Sequence, residues 1–185
     1  MTKMSKWMIA SDLHGDAACV EALLEAYHAS GAERLILLGD LLYHGPRNDL
    51  PEGYAPKRVI ELLNSVRDEL LCVRGNCDTE VDQMVLNFPI LADYAYLSAD
   101  GLNFFVTHGH NYNLDRLPPL KAGDVLLHGH THVPTATPFG DGNLYVNPGS
   151  TSIPKDGSAK GYLLYENRRL TFCTLAGEVW KTVEL

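Results

Sequence analysis

Cysteine is scarce and unpaired. The four in 185 residues, at 19, 72, 77 and 173, form no CxxC motif. A disulfide framework is therefore not expected, and the thiols read as the reduced thiols of a cytoplasmic protein. Cys19 and Cys173 read as small core hydrophobes. Long apolar runs are also missing. None approaches the ~18 residues a membrane span needs, so no membrane partner is expected. The opening stretch, Met1 to Lys6, is short and polar and lacks the apolar core of a signal peptide. Basic residues are the third shortage: 15 Lys and Arg stand against 23 Asp and Glu, a formal charge of -8. That balance argues against broad, sequence-blind binding to nucleic acid, which needs cations along the phosphates. It leaves room for an anionic substrate if a metal supplies the positive charge. Internal repeats, low-complexity tracts and linkers are absent too, so residues 1–185 read as one domain. What remains is an ordinary globular composition, 45% hydrophobic and 21% charged, long enough to bury a full core.

Apolar segments alternate with polar clusters along the chain. Trp7 to Ser11 reads as a buried strand running into Asp12-Leu13-His14-Gly15-Asp16. Asp16 is placed to cap a helix from Ala17 to about Ser30, with Val20, Leu23, Leu24 and Tyr27 at helical spacing and Gly31 closing it. Arg34 to Leu38 is a second strand, ending in Gly39-Asp40. The Gly- and Pro-rich stretch His44 to Lys57 reads as a long loop, and Pro56 as the opening of a second helix with Val59, Ile60, Leu62, Leu63 and Val66 on its apolar face. Leu70 to Val73 is a third strand, followed by Arg74-Gly75-Asn76-Cys77-Asp78. In the second half, Asn103–Thr107 ends in His108-Gly109-His110, Asp124–Leu127 in His128-Gly129-His130-Thr131-His132, and Asn143–Val146 in Asn147-Pro148-Gly149-Ser150. Gly161–Tyr165, Arg168–Leu175 and Val179–Val183 look like antiparallel closing strands.

Strand ends are where open α/β sheets build their sites. Five of them here carry metal-type donors: Asp12 with His14, Asp40, Asn76, His108, and His130 with His132. If the extended path continued past Leu127, His130 and His132 would point to one side. Seven oxygen and nitrogen donors without a cysteine exceed what one ion takes beside substrate and water. Two ions sharing a carboxylate fit better. The donor chemistry suits Mn²⁺ first, with Fe²⁺ and Zn²⁺ as alternatives. Paired ions clamp a transferring phosphoryl group and acidify a bound water, so the nucleophile would be a metal-bound hydroxide.

In order along the chain, Asp12-Leu13-His14, Gly39-Asp40, Gly75-Asn76-Cys77-Asp78, Thr107-His108-Gly109-His110 and Gly129-His130-Thr131-His132 resemble the signature blocks of the calcineurin-like metallophosphoesterases, and within them a small bacterial phosphodiesterase subgroup. The likeness extends to the Asn147–Ser150 loop. It implies a four-layer α/β/β/α sandwich of two mixed sheets with metals between the sheets' loops. It also implies one ion on Asp12, His14, Asp40 and His132, and another on Asp40, Asn76, His108 and His130, with Asp40 as the bridge. Many members carry a histidine directly after the motif asparagine, where it can protonate the leaving oxygen. Cys77 stands there instead. A neutral thiol is a poor donor to an alkoxide and brings no positive charge. Small phosphodiesters are therefore expected to be favoured over monoesters. Asp40, His108 and Cys77 are the expected catalytic residues, and Asn76, Arg74 and His128 the expected substrate contacts. Arg47 reads as a loop charge that could reach an anionic substrate. A phosphomonoesterase or nucleotide phosphatase is the alternative enzyme, and a non-catalytic protein-interaction scaffold is the alternative on the same fold. A nuclease ranks low on charge. The closing strands and the Pro-rich loop are candidate contacts in a homo-oligomer.

Overall fold

The computed structural model describes residues 5–185; the first four residues of the polar lead lie outside the described residues. The elements run β1 (Lys6–Ala10), α1 (Ala17–Ser30), β2 (Arg34–Leu37), α2 (Pro56–Ser65), a 3-10 turn (Arg67–Glu69), β3 (Leu70–Cys72), α3 (Glu80–Gln83), β4 (Tyr94–Ala99), β5 (Leu102–Thr107), β6 (Val125–Leu127), β7 (Thr135–Phe139), β8 (Asn143–Asn147), β9 (Gly161–Glu166), β10 (Arg169–Thr174) and β11 (Val179–Glu184). They form two sheets, of order β11-β10-β9-β1-β2-β3 and β4-β5-β6-β8-β7. Both are mixed. β1, β2 and β3 pair in parallel while β9, β10 and β11 pair antiparallel. In the second sheet β5, β6 and β8 are parallel, with β4 and β7 antiparallel at the edges.

The period of two along each strand sorts side chains into three layers of core. From β1, Met8 and Ala10 join Leu35 and Leu37 of β2 under the helices, where Val20, Leu23 and Tyr27 of α1 and Val59 and Leu63 of α2 meet them. The alternate residues, Trp7, Ile9 and Ile36, face the second sheet and pack on Phe104, Val106, Val125, Leu127 and Val146. The far face of the second sheet carries Phe105, Leu126 and Tyr145, covered by Tyr112, Leu120 and Phe139. The expected outer helical layer is not built there: residues 108–124 cross this face as turns and bends without a helix. Pro118-Pro119 in that stretch cannot donate the hydrogen bonds a helix needs.

Helix α1 has the bounds the sequence predicts. Asp16 caps it by accepting from Cys19 N at 3.1 Å, and Gly31 closes it at φ +68°. Two strands escape the sequence reading, β4 and β7, and both are sheet edges. β4 leaves Tyr94 and Tyr96 about half exposed, and β7 holds Pro138, which edges tolerate and interiors do not.

Candidate metal centre

Each expected ligand leaves the core just beyond the carboxyl end of a strand: Asp12 and His14 after β1, Asp40 after β2, Asn76 after β3, His108 after β5, His130 and His132 after β6. Five of the seven hold left-handed backbone: Asp12 (φ +57°), His14 (+45°), Asp40 (+57°), His130 (+67°) and His132 (+61°). Non-glycine residues in that region cost of order 1–3 kcal/mol each and persist only where their surroundings fix them. The loops after β1 and β2 fix each other, with Asp12 N donating to Gly39 O at 3.1 Å and His14 N to Asp40 O at 2.9 Å. The Ser150 and Ser152 hydroxyls both donate to Asp12 O at 2.8 Å. Asp78, an unassigned member of the Gly75–Asp78 block, is the clasp between the loops after β2 and β3. Its buried carboxylate accepts from Asp40 N (2.8 Å), Leu41 N (2.9 Å) and Gly75 N (2.8 Å).

The left-handed turns correct one expectation. The extended path does not continue beyond Leu127, and His130 and His132, though both line the same cavity, face different partners. His132 Nε2 faces His14 Nε2 at 3.4 Å and Asp12 Oδ1 at 3.2 Å, while His130 Nδ1 faces His108 Nε2 at 3.1 Å. Glycine permits the crossing. A Cβ on Gly129 would overlap Ser11 Oγ and stand 2.7 Å from Asp12 Oδ2, the oxygen that accepts from His130 N at 3.0 Å.

Three imidazoles commit their outer nitrogen to a backbone carbonyl: His14 Nδ1 to Tyr43 O (2.8 Å), His108 Nδ1 to Leu38 O (2.7 Å) and His132 Nδ1 to Ile153 O (2.6 Å). That fixes the tautomer and leaves each Nε2 lone pair turned inward. Acceptor then faces acceptor. His14 Nε2 looks at His132 Nε2, and His108 Nε2 looks at Asn76 Oδ1 at 3.1 Å. Asp12 Oδ1 is buried among them and accepts no hydrogen bond. Inward lone pairs and an orphaned carboxylate oxygen are a donor set for cations. Asp40 Oδ1 is taken by Cys77 N at 2.8 Å. Its Oδ2 lies 3.7 Å from His14 Nε2 and 3.5 Å from His108 Nε2, between the two clusters. Asp12, His14 and His132 form one group able to hold an ion, and Asp12, Asp40 and His108 another.

The same packing sets the charges. Burial alone would raise Asp12, but the close imidazoles of His132 and His14, with His108 beyond them, outweigh it and hold this carboxyl well below its ordinary value. Burial would lower His14, but the Asp12 carboxylate outweighs it and holds the imidazole above 6.5. His130 is held down to about 4 by burial and by the neighbouring His108, which leaves its lone pair free at neutral pH. Burial and the Asp40 carboxylate raise the Cys77 thiol above its ordinary range, so it stays protonated.

Not every expected contact reaches the cavity. The centre opens into a space of about 440 Å³ that Cys77 and Asn76 line and that Arg74 and His128 do not. Arg74 turns its Nε to Asp78 O at 3.2 Å. His128 is buried and stacked on Tyr145, ring centroids 4.3 Å apart, with its value lowered to about 4 by burial. Neither of these two expected substrate contacts therefore lines the cavity. Arg47, Asn48, Thr131 and Lys155 line the cavity instead. Arg47 carried a sequence signal, its place in a Pro-rich loop. Lys155 carried none beyond following the Asn147–Ser150 loop.

Comparison with known proteins agrees with this geometry. The profile of the Calcineurin-like phosphoesterase superfamily domain matches residues 6–169. The chain is 48% identical over 172 residues to "Phosphodiesterase YfcE" of Escherichia coli strain K12, covering 93% of each chain. A solved structure of YfcE, described as a phosphoesterase from E. coli, superposes with a TM-score of 0.93 at 46% identity, covering 97% of this chain and 98% of that one. Wild-type Vps29 complexed with Zn²⁺ from Entamoeba histolytica shares the fold, with a TM-score of 0.64 at 20% identity over 97% of this chain and 98% of that one. Two mixed sheets with helices, and inward donors at the ends of their strands, match this family, and the chain belongs to the calcineurin-like phosphoesterase superfamily.

Proposed function

We propose that the protein is a phosphodiesterase that hydrolyses small phosphodiesters with two divalent ions. The observation that carries this reading is the position of Asp40 Oδ2, within 3.7 Å of the inward nitrogens of both clusters. Asp12, His14, Asp40 and His132 would hold one ion; Asp40, Asn76, His108 and His130 would hold the other. When bound, such a pair neutralises phosphoryl charge and acidifies the attacking water. The phosphodiesterase name of YfcE, at 48% identity over most of both chains, supports the reaction class. Mn²⁺ is the ion we favour, since the seven donors are oxygen and nitrogen without a thiolate.

The chain's own residues then do three things. Backbone carbonyls hold the imidazoles in their ligating tautomer. Asp78 keeps the loops of Asp40 and Asn76 in register. Cys77 offers a protonated thiol where an imidazolium would add positive charge, which favours diesters over monoesters and leaving groups that need little protonation. Four free, buried thiols suit a reducing compartment, and we place the protein in the cytoplasm on that ground.

Asp40→Asn tests the reading. Residues merely hydrogen-bonded to a ligand cost 10–100-fold in metal affinity, so loss of a shared ligand should cost at least about 100-fold. Bound ions per chain and turnover of bis(p-nitrophenyl) phosphate should fall together. Retention of both near wild-type levels would defeat the proposal. So would a wild-type protein inactive with Mn²⁺, Fe²⁺ and Zn²⁺.

A further inference from the structure

The cavity beside the centre carries positive charge that the ligand set does not use. Arg47 comes from the loop between β2 and α2 and Lys155 from the segment between β8 and β9, and both line it. In a chain of formal charge -8, cations are expected to find carboxylates. Lys6, Arg58, Arg67, Lys160 and Arg169 do; among the described residues Arg47 and Lys155 belong to the larger set of cations that join no ion pair, and of that set they are the two that line the cavity. Both are positioned by residues of the site. Lys155 N donates to His132 O at 3.2 Å, and two residues earlier Ile153 O accepts from His132 Nδ1. Next to Arg47, Asn48 Nδ2 donates to His44 O at 2.8 Å. Gly45 brings that loop to Cys77, whose Sγ lies 3.4 Å from where a Cβ would stand.

Two divalent ions, less the carboxylates of Asp12 and Asp40 and the attacking hydroxide, already balance the single negative charge of a diester. The two side-chain cations are therefore surplus to the scissile group. The cavity, about 440 Å³, also exceeds what one phosphoryl group fills. We infer that Arg47 and Lys155 form a second anion subsite, so that the preferred substrate is a phosphodiester whose uncleaved arm carries a further phosphate. The forked Arg47 guanidinium suits the bidentate geometry of a phosphate, with Lys155 as a point charge and the Asn48 amide close by. This rests on the phosphodiesterase reading and narrows its substrate class.

The test uses matched ligands with and without the extra phosphate. Binding of thymidine 3′,5′-bisphosphate and thymidine 5′-monophosphate to the full-length protein in Mn²⁺ is measured by calorimetry. Hydrolysis of their 5′-p-nitrophenyl esters is measured in parallel. The bisphosphate should bind at least about tenfold more tightly, the scale of one hydrogen bond to a charged group. The same preference should appear in kcat/KM for the esters. It should fall toward unity in the Arg47→Met, Lys155→Met double variant and be partly restored by Lys155→Arg. Equal binding of the two ligands by the wild type would overturn the subsite, as would a preference that survives the double variant. Selective binding without turnover of either ester, with any of the three ions, would keep the subsite and reject the hydrolase reading.

Discussion

Gly75→Ala asks whether the crowding beneath Asp40 is what aims its carboxylate. A Cβ on Gly75 would overlap Asp40 Oδ1 and Asp40 N and stand 2.9 Å from Asp40 Cγ. Ordinary van der Waals contact begins at 3.4 Å, so the carboxyl carbon must retreat by about half an ångström, the difference of those two distances, and Oδ1 by more. Gly75 cannot back away freely, because its N–H is held by Asp78 Oδ2 at 2.8 Å, and the same oxygen accepts from Asp40 N. The displacement therefore falls on Asp40, backbone and side chain together. Overpacking of this kind costs about 1–3 kcal/mol of stability. Functional constellations tolerate only about 0.5 Å of error, and a misplacement of about 1 Å can cost roughly 100-fold in rate. The expected outcome is a folded protein, about 1–3 kcal/mol less stable in denaturant titration, whose kcat/KM on bis(p-nitrophenyl) phosphate falls about 100-fold as its ion affinity weakens. Gly123→Ala is the control. Gly123, unlike Gly75, has positive φ, and a Cβ there meets nothing within 4 Å, so it reports the cost of replacing a glycine without crowding. If Gly75→Ala bound ions and turned over substrate as Gly123→Ala does, the close approach of Gly75 to Asp40 would not be what positions the Asp40 carboxylate.

Three further outcomes follow from the environments around the site. His14 is held above 6.5, so its contribution is present below the unfolded value and is lost as pH rises through the folded one. His128 and His130, held at about 4, act oppositely: stability is lost as pH falls below 6.5, where their unfolded forms take up protons. Thermal melts of chelated protein from about pH 5 to about pH 8.5 should therefore peak near neutrality, and a monotonic rise across the series would contradict these environments. Cys77→Ala should keep diester turnover within about tenfold, since a thiol held protonated is no nucleophile, whereas Cys77→His should raise the monoester-to-diester ratio of kcat/KM by about 100-fold, the lower end of general-acid help; steady-state rates on both ester types decide both.

Much of this architecture is legible in the sequence because each layer has a period. Trp7, Ile9 and Ile36 on one face and Met8, Leu35 and Leu37 on the other are what buried strands between two cores must look like. Asp16 and Gly31 punctuate the first helix by capping chemistry. The edges of the five-stranded sheet are hidden for the same reason in reverse: with one pairing partner, β4 and β7 need not be uniformly apolar. The donors could be listed from their strand ends, but not their directions. Strand periodicity says nothing once Asp12, His14, Asp40, His130 and His132 turn left-handed. Which cations meet the cavity was equally out of reach. Arg74 is adjacent to the motif in sequence yet turns to Asp78 O, while Lys155 arrives from 23 residues beyond His132, through its backbone bond to that residue.

The donors are divided between the two halves of the sandwich. Asp12, His14, Asp40 and Asn76 follow strands of the six-stranded sheet, and His108, His130 and His132 follow strands of the five-stranded one. A cation shared across that boundary acts as a rivet, and its chemical potential becomes part of what keeps the halves together. Each tenfold rise in free ion above its dissociation constant adds about 1.4 kcal/mol to the folded state. Metal supply in the surrounding medium would then set how long the polypeptide survives heat or proteases, quite apart from whether it is turning over substrate.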